Sequence, residues 1–222
     1  MVCGDPQRYH GKLCRACYDK EMARRRAEGD AHRATCFGMQ RERVVFFDLE
    51  LTGVYRHDEI LSATFINGNG EVLLDTLTRP SRVKRWKRTE AIHGITPAMV
   101  KDAPTLADVT PRLKEIIAAA DCLIAYGTST DFSHLSVIYK GRDERNALHD
   151  KLRDCAAEFM RYAKEHRPDV THGSLTDAMA CCGLTWHGTA HSSTADTDAC
   201  RRVWEFLFPH YYDKKKKPSR AE

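Results

Sequence analysis

The chain has 222 residues, which suits one domain of ordinary size with an appendage, and its 42% hydrophobic content supplies a buried core. A formal charge of +4 permits a nucleic-acid partner without requiring one. No run approaches the ~18 consecutive apolar residues of a membrane helix, the N-terminus has no apolar signal core, and nothing marks the nine cysteines as a secreted disulfide framework, so a cytoplasmic protein with no membrane partner is expected.

Composition divides the chain into a Cys-rich basic segment (1–40), an α/β domain (41–210) and a basic tail (211–222) expected to be disordered, with lysines at 214–217. In the first segment Cys3, Cys14 and Cys17 give a Cys-x10-Cys-x2-Cys spacing that resembles part of a small zinc ribbon. The fourth ligand is His10 or Cys36, or it precedes Met1, or no zinc binds. An arginine run at 24–26 follows; it is either a grip on a phosphate backbone or a solvated helix face.

The α/β domain opens with Val44-Val45-Phe46-Phe47, a β-rich apolar run that predicts a buried strand over 44–49. Runs at 60–66 and 72–77 flank Asn67-Gly68-Asn69-Gly70, whose turn chemistry predicts an antiparallel hairpin and hence a three-stranded meander. Leu106, Val109, Leu113, Ile116 and Ile117 recur at helical steps, and Cys122-Leu123-Ile124-Ala125 reads as a short buried strand. Helices are predicted over about 131–139 and 144–164. Ser174 with Asp177 forms a capping signal and Gly183 a stop. The last helix carries Ala195, Ala199, Val203, Phe206 and Leu207 on one stripe. Strands first with helices interleaved later predicts an α/β fold on a mixed sheet, an antiparallel meander plus parallel strands flanked by helices.

Asp48 and Glu50 lie two apart at the strand's exit, so both project from one face. Two such charges repel unless a cation sits between them, and hard oxygen ligands favour magnesium or manganese. The bland alternative is a solvated acidic pair. Asp131, after the strand-like CLIAYG, stands where ligands bind in α/β sheets, although it also reads as a plain helix N-cap. His191 and Asp196 stand at the entry to the last helix; Asp196 adjoins the apolar stripe, whereas Asp198 falls farther round.

In order and spacing FFDLELTG, AYGTSTDFSHL and HSSTADTDAC resemble the three motifs of the DEDDh (DnaQ-like) 3′→5′ exonucleases of the ribonuclease H-like superfamily. The segment AIHGIT, followed by DAPT, is similar to a connector seen in many bacterial members. The resemblance spans roughly residues 43–208 and implies a ribonuclease H-like sheet with two bound magnesium or manganese ions. Asp48 would bridge both ions, Glu50 and Asp196 would complete one shell, and Asp131 would hold the other ion. His191 would be the general base, its imidazole suited to proton abstraction near neutrality. Leu51, Thr52 and Gly53 would contact the terminal nucleotide. Four carboxylates would balance four cationic charges around an in-line displacement.

Two departures bear on substrate. Tyr126-Gly127 replaces the His-Asn common before the second-motif aspartate, and some RNA-directed members have an aromatic-Gly pair there. Leu51 replaces the first of two threonines common after Asp-x-Glu. The implied function is hydrolysis at single-stranded DNA or RNA 3′ ends, with replication or repair proteins as possible partners. The alternatives are RNA-specific 3′-end processing and an inactive nucleic-acid-binding module; the intact set of acids speaks against the second.

Overall fold

The computed structural model describes residues 13–34, 38–188 and 192–212. Cys3, His10, Cys36, His191 and the lysine run at 214–217 lie outside the described residues. The chain forms two compact units, residues 1–38 with 210–222, and residues 39–209.

In the first unit, helix α1 (Arg15–Ala34) starts directly after Cys14 and places Cys17 in its first turn. It carries exposed ion pairs at helical spacing, Arg15–Asp19 at 3.0 Å and Arg24–Glu21 at 2.8 Å. In the same unit the Gly38 N–H donates to the Tyr211 carbonyl.

The second unit is built on strands β1 (Val44–Leu51), β2 (Ile60–Asn67) and β3 (Val72–Leu77), then helices α2 (Lys87–His93) and α3 (Leu106–Ala119). Strand β4 (Cys122–Ala125), helix α4 (Thr128–Leu135), a 3-10 turn (Ser136–Ile138) and helix α5 (Arg142–Lys151) follow. The unit closes with β5 (Leu152–Asp154), α6 (Cys155–His166), α7 (Leu175–Cys181) and α8 (Ser193–Leu207). The sheet order is β3-β2-β1-β4-β5, antiparallel in the meander and parallel where β4 and β5 join.

The hairpin turn behaves as its sequence dictates. The Asn67 side chain accepts from the Asn69 and Glu71 N–H groups, and Gly70 takes the left-handed conformation at φ 83°. Along β1 the side chains alternate. Val45, Phe47, Leu49 and Leu51 enter the main core with Leu113, Ile116 and Ile117 of α3, and Phe47 stacks on its cross-strand partner Phe65 at 5.2 Å. The opposite face, with Val44, Phe46, Asp48 and Glu50, belongs to the side on which α8 packs. Helix α3 starts at a capping box between Thr105 and Asp108, and α7 at the one between Ser174 and Asp177.

Three predicted elements differ from the structure. The single helix expected over 144–164 is two helices with the edge strand β5 between them. Leu148, Leu152, Cys155, Phe159 and Ala163 are all buried, and their spacing keeps the helical period straight through the strand. The helix expected to open at Asp131 begins at Thr128, with Gly127 at the N-cap in the left-handed conformation, φ 89°. In α8 the buried stripe includes Cys200 and Trp204, whereas Phe206 faces outward against Tyr162, rings edge to face at 5.7 Å.

Candidate active site

The end of β1 organises the site. Asp48 and Glu50 project from the face opposite the main core, beside their β2 register partners Thr64 and Ser62. The pairing shifts between Glu50 and Leu51, a bulge that ends the regular ladder where the acids emerge.

Helix α8 brings in the third carboxylate through a buried web of hydroxyls. Ser193, the first residue of α8, has its Oγ 2.8 Å from Ser62 Oγ and 2.8 Å from Thr64 Oγ1. Thr64 donates onward to Asp75 of β3 at 2.9 Å, and Thr194 donates to the other Asp75 oxygen at 3.1 Å. The neighbours of Asp48 and Glu50 on β2 therefore hold the start of α8. Three residues on, Asp196 meets the two acids: one ligand atom from each of Asp48, Glu50 and Asp196 lies within 4.8 Å of the others. The N-cap role falls to Ser192, which accepts from the Ala195 N–H, so Asp196 is not a cap. Asp198 turns away to Arg201 and His187.

Asp131 is buried in the first turn of α4, and its charge acts on both Asp48 and Glu50. Its helix is set by Asp154 at the end of β5. One Asp154 oxygen accepts from Gly127 N–H at 3.1 Å and from Ala156 and Ala157 N–H at 2.9 and 3.2 Å. The other accepts from the Thr128 N–H and hydroxyl at 3.2 and 3.3 Å. A single carboxylate thus serves the N-terminal ends of α4 and α6.

Burial and crowding make these acids hard to ionise. Asp48 lies well above the ordinary carboxylate range through burial, then through the charges of Asp131, Glu50 and Asp196. Glu50 is pushed up to about 8 by burial and by Asp196 and Asp131. Burial, followed by the Asp154 charge, raises Asp131 to about 7. Beside them burial also keeps the Cys200 thiol protonated, so the neighbouring thiol adds no further negative charge. An all-oxygen donor set of this kind fits a hard divalent cation such as magnesium or manganese.

The segment after Glu50 is turned inward. Leu51 is a core side chain whose carbonyl lies 3.3 Å from His93 Nε2. The Thr52 hydroxyl donates to Asp58 at 2.9 Å and accepts from the Glu59 N–H at 2.9 Å. Gly53 is packed so closely on Asp58 that an added Cβ would stand 2.4 Å from its carboxylate. The Thr52 hydroxyl thus helps to hold the 52–59 loop. Tyr126 donates its hydroxyl to the Gly173 and Ser174 carbonyls, which ties the turn after β4 to the start of α7.

Sequence reasoning missed Asp154, the Ser62–Thr64–Ser193 web and His134. The His134 ring bridges the Thr130 carbonyl at 2.9 Å and the Tyr55 carbonyl at 3.1 Å, tying α4 to the 52–59 loop. A weak signal existed for Asp154: a short side chain followed by Cys-Ala-Ala-Glu resembles a helix start.

A family model described as an exonuclease (RNase_T) matches residues 45–203. The chain belongs to this exonuclease family. Membership makes the second unit a DnaQ-like nuclease domain with the ribonuclease H-like fold. The exonuclease domain is 31% identical over 160 residues to the uncharacterized exonuclease CP81 of Escherichia phage 186, covering 68% of this chain and 81% of that one. It is 38% identical over 176 residues to a DNA polymerase III subunit epsilon-like protein of Rhodobacter capsulatus, covering 74% of this chain but 23% of that one. Among solved structures, E. coli ExoI in an ssDNA complex matches with a TM-score of 0.63 at 19% identity, over 77% of this chain and 42% of that one. The nuclease domain of 3′hExo bound to rAMP matches with a TM-score of 0.57 at 15% identity, over 75% of this chain and 90% of that one. The chain therefore spans less than half of ExoI and under a quarter of the epsilon-like protein. Among the described residues, no helix is long and apolar enough to cross a membrane.

Proposed function

We propose that the chain is a divalent-cation-dependent 3′→5′ exonuclease that releases nucleoside monophosphates from the 3′ ends of single-stranded DNA or RNA. The observation that carries this reading is the convergence of Asp48, Glu50 and Asp196 within 4.8 Å, with Asp131 acting on the first two. Such a cluster is costly in an apolar setting unless cations neutralise it.

Asp48, Glu50, Asp131 and Asp196 are the residues that would hold the cations. Two divalent ions bound there would stabilise charge on the attacking, leaving and non-bridging oxygens. His191 takes the proton from the attacking water as its oxygen bonds to phosphorus. The bond from phosphorus to the 3′ oxygen of the penultimate nucleotide breaks, and that oxygen gains a proton from solvent. The products are a nucleoside 5′-monophosphate and a strand one unit shorter with a new 3′ hydroxyl. Both DNA and RNA ends are kept in the reading, since one structural neighbour is an ssDNA complex and another is bound to rAMP. The epsilon-like relative supports a link to replication proteins.

The test uses 5′-labelled DNA and RNA single strands with magnesium, with manganese or with chelator, beside Asp48→Ala. The expected result is a ladder shortened from the 3′ end, lost with chelator and in the variant. A ladder that persists in Asp48→Ala removes the site assignment, and shortening of a 3′-labelled strand from its 5′ end removes the polarity.

A further inference from the structure

From the end of β3 into the first turn of α2 the chain runs Arg79-Pro80-Ser81-Arg82-Val83-Lys84-Arg85-Trp86-Lys87-Arg88, six cations in ten residues with no acid, against +4 for the whole chain. All six cations are exposed. A run of this kind is ordinarily a loose, solvated linker, but this one is fixed from below. The Glu59 carboxylate accepts from the Ser81, Arg82 and Val83 N–H groups at 2.8 to 2.9 Å and from the Ser81 hydroxyl at 2.7 Å. Trp86 is 5% exposed and donates its indole N–H to the Ile95 carbonyl at 2.7 Å.

Helix α2, into which the segment runs, is tied to the end of the strand that carries Glu50. Thr89 donates to the Thr52 carbonyl at 3.2 Å, and His93 lies against the Leu51 carbonyl. Lys87 and Arg88 fill the first turn of α2, the end where the helix dipole disfavours cations. Arg85, Lys87 and Arg88 have no acidic partner among the described residues. Their charge thus serves neither the helix nor an internal ion pair.

We infer that Arg85, Lys87 and Arg88 form a fixed cationic ridge that binds the phosphodiester backbone of the nucleic acid upstream of the end held in the acidic site. This rests on the nuclease reading of that site. An acidic cluster repels a polyanion, and a rigid row of cations at the start of the helix tied to that strand's end offsets that repulsion through counterion release. The ligand chemistry is the phosphate chain, shared by DNA and RNA, so the ridge adds affinity for long strands and no base preference.

The test compares wild type, the triple variant Arg85→Ser/Lys87→Ser/Arg88→Ser, and a control of equal charge loss, Lys140→Ser/Arg142→Ser/Lys164→Ser, on the elements around β5. Affinity for 20-nucleotide DNA and RNA strands with phosphorothioate 3′ ends is measured by anisotropy in chelator from 50 to 200 mM salt. Three lost phosphate contacts reduce the log–log salt slope by about 2, so wild type loses roughly 20-fold more affinity than the ridge variant across that range. The control keeps the wild-type slope, as does Arg85→Lys/Arg88→Lys. With magnesium, turnover of an unmodified 20-mer relative to thymidine 5′-(p-nitrophenyl phosphate), which has no upstream backbone, falls about tenfold in the ridge variant. Equal slopes in ridge and control variants overturn the ridge, as does equal loss on both substrates. DNA and RNA slopes that differ by more than one unit exclude a pure backbone contact. If wild type cleaves neither substrate while the slope difference persists, the nuclease reading fails and the ridge stands.

Discussion

Glu50 shows what the cluster costs the protein before any cation arrives. Its carboxyl is pushed from 4.5 to about 8, chiefly by burial and then by Asp196 and Asp131. A raised folded-state value contributes stability that is fully present below the unfolded value and is lost as pH rises through the folded one. In chelator, stability from this group therefore declines between about pH 4.5 and pH 8. Glu50→Gln removes the penalty while keeping the shape, so at pH 8 its Tm in chelator should exceed wild type by about 2–4 °C, the scale for a loss of ~1 kcal/mol in a domain of this size. Magnesium or manganese should raise wild-type Tm more at pH 8 than at pH 5.5 and have little effect on the variant. Differential scanning fluorimetry checks both; a wild-type Tm in chelator above that of Glu50→Gln at pH 8 contradicts the assignment.

Among the elements, α4 and α8 are the ones whose placement decides the site. Asp154 supports α4 through Gly127 and Thr128 and α6 through Ala156 and Ala157. Asp154→Ala should cost about 2 kcal/mol, a cap's worth at each helix, read as a lower urea midpoint. Because α4 carries Asp131, kcat on a single strand should fall more than tenfold with KM little changed, and Asp154→Asn, which keeps an acceptor oxygen, should recover part of both. Loss of stability with full kcat would leave Asp154 a structural cap alone. The meander, α3 and β4 were legible because strand alternation, the Asn-Gly turn and the capping residues act locally. Strand β5 was not: Leu148, Leu152, Cys155, Phe159 and Ala163 keep helical spacing across it, and only pairing with β4 distinguishes a strand there. The carboxylates were legible as motif letters, but the hydroxyls of Ser62, Thr64 and Ser193 that set α8 over them meet only in three dimensions. Thr52 shows the reverse case, a polar residue in a motif whose hydroxyl turns into the scaffold.

For the molecule as a whole, the sheet gathers opposite charges beside one another. Acids from β1, α4 and α8 converge at the end of β1, and α2, into which the basic segment runs, is hydrogen-bonded to the Leu51 and Thr52 carbonyls at that same end. This arrangement suits a domain that draws in a polyanion by its backbone and holds cations where the chain is cut. Everything chemical in that account depends on the four carboxylates acting as one cation site. Titration of the chelator-stripped protein with manganese at pH 8, followed by electron paramagnetic resonance of the free ion, measures this directly. Wild type should take up two ions per chain, and Asp48→Asn should lose both, since the proposed reading has Asp48 serve both ions. Uptake in Asp48→Asn equal to wild type, or none in wild type, would contradict the account.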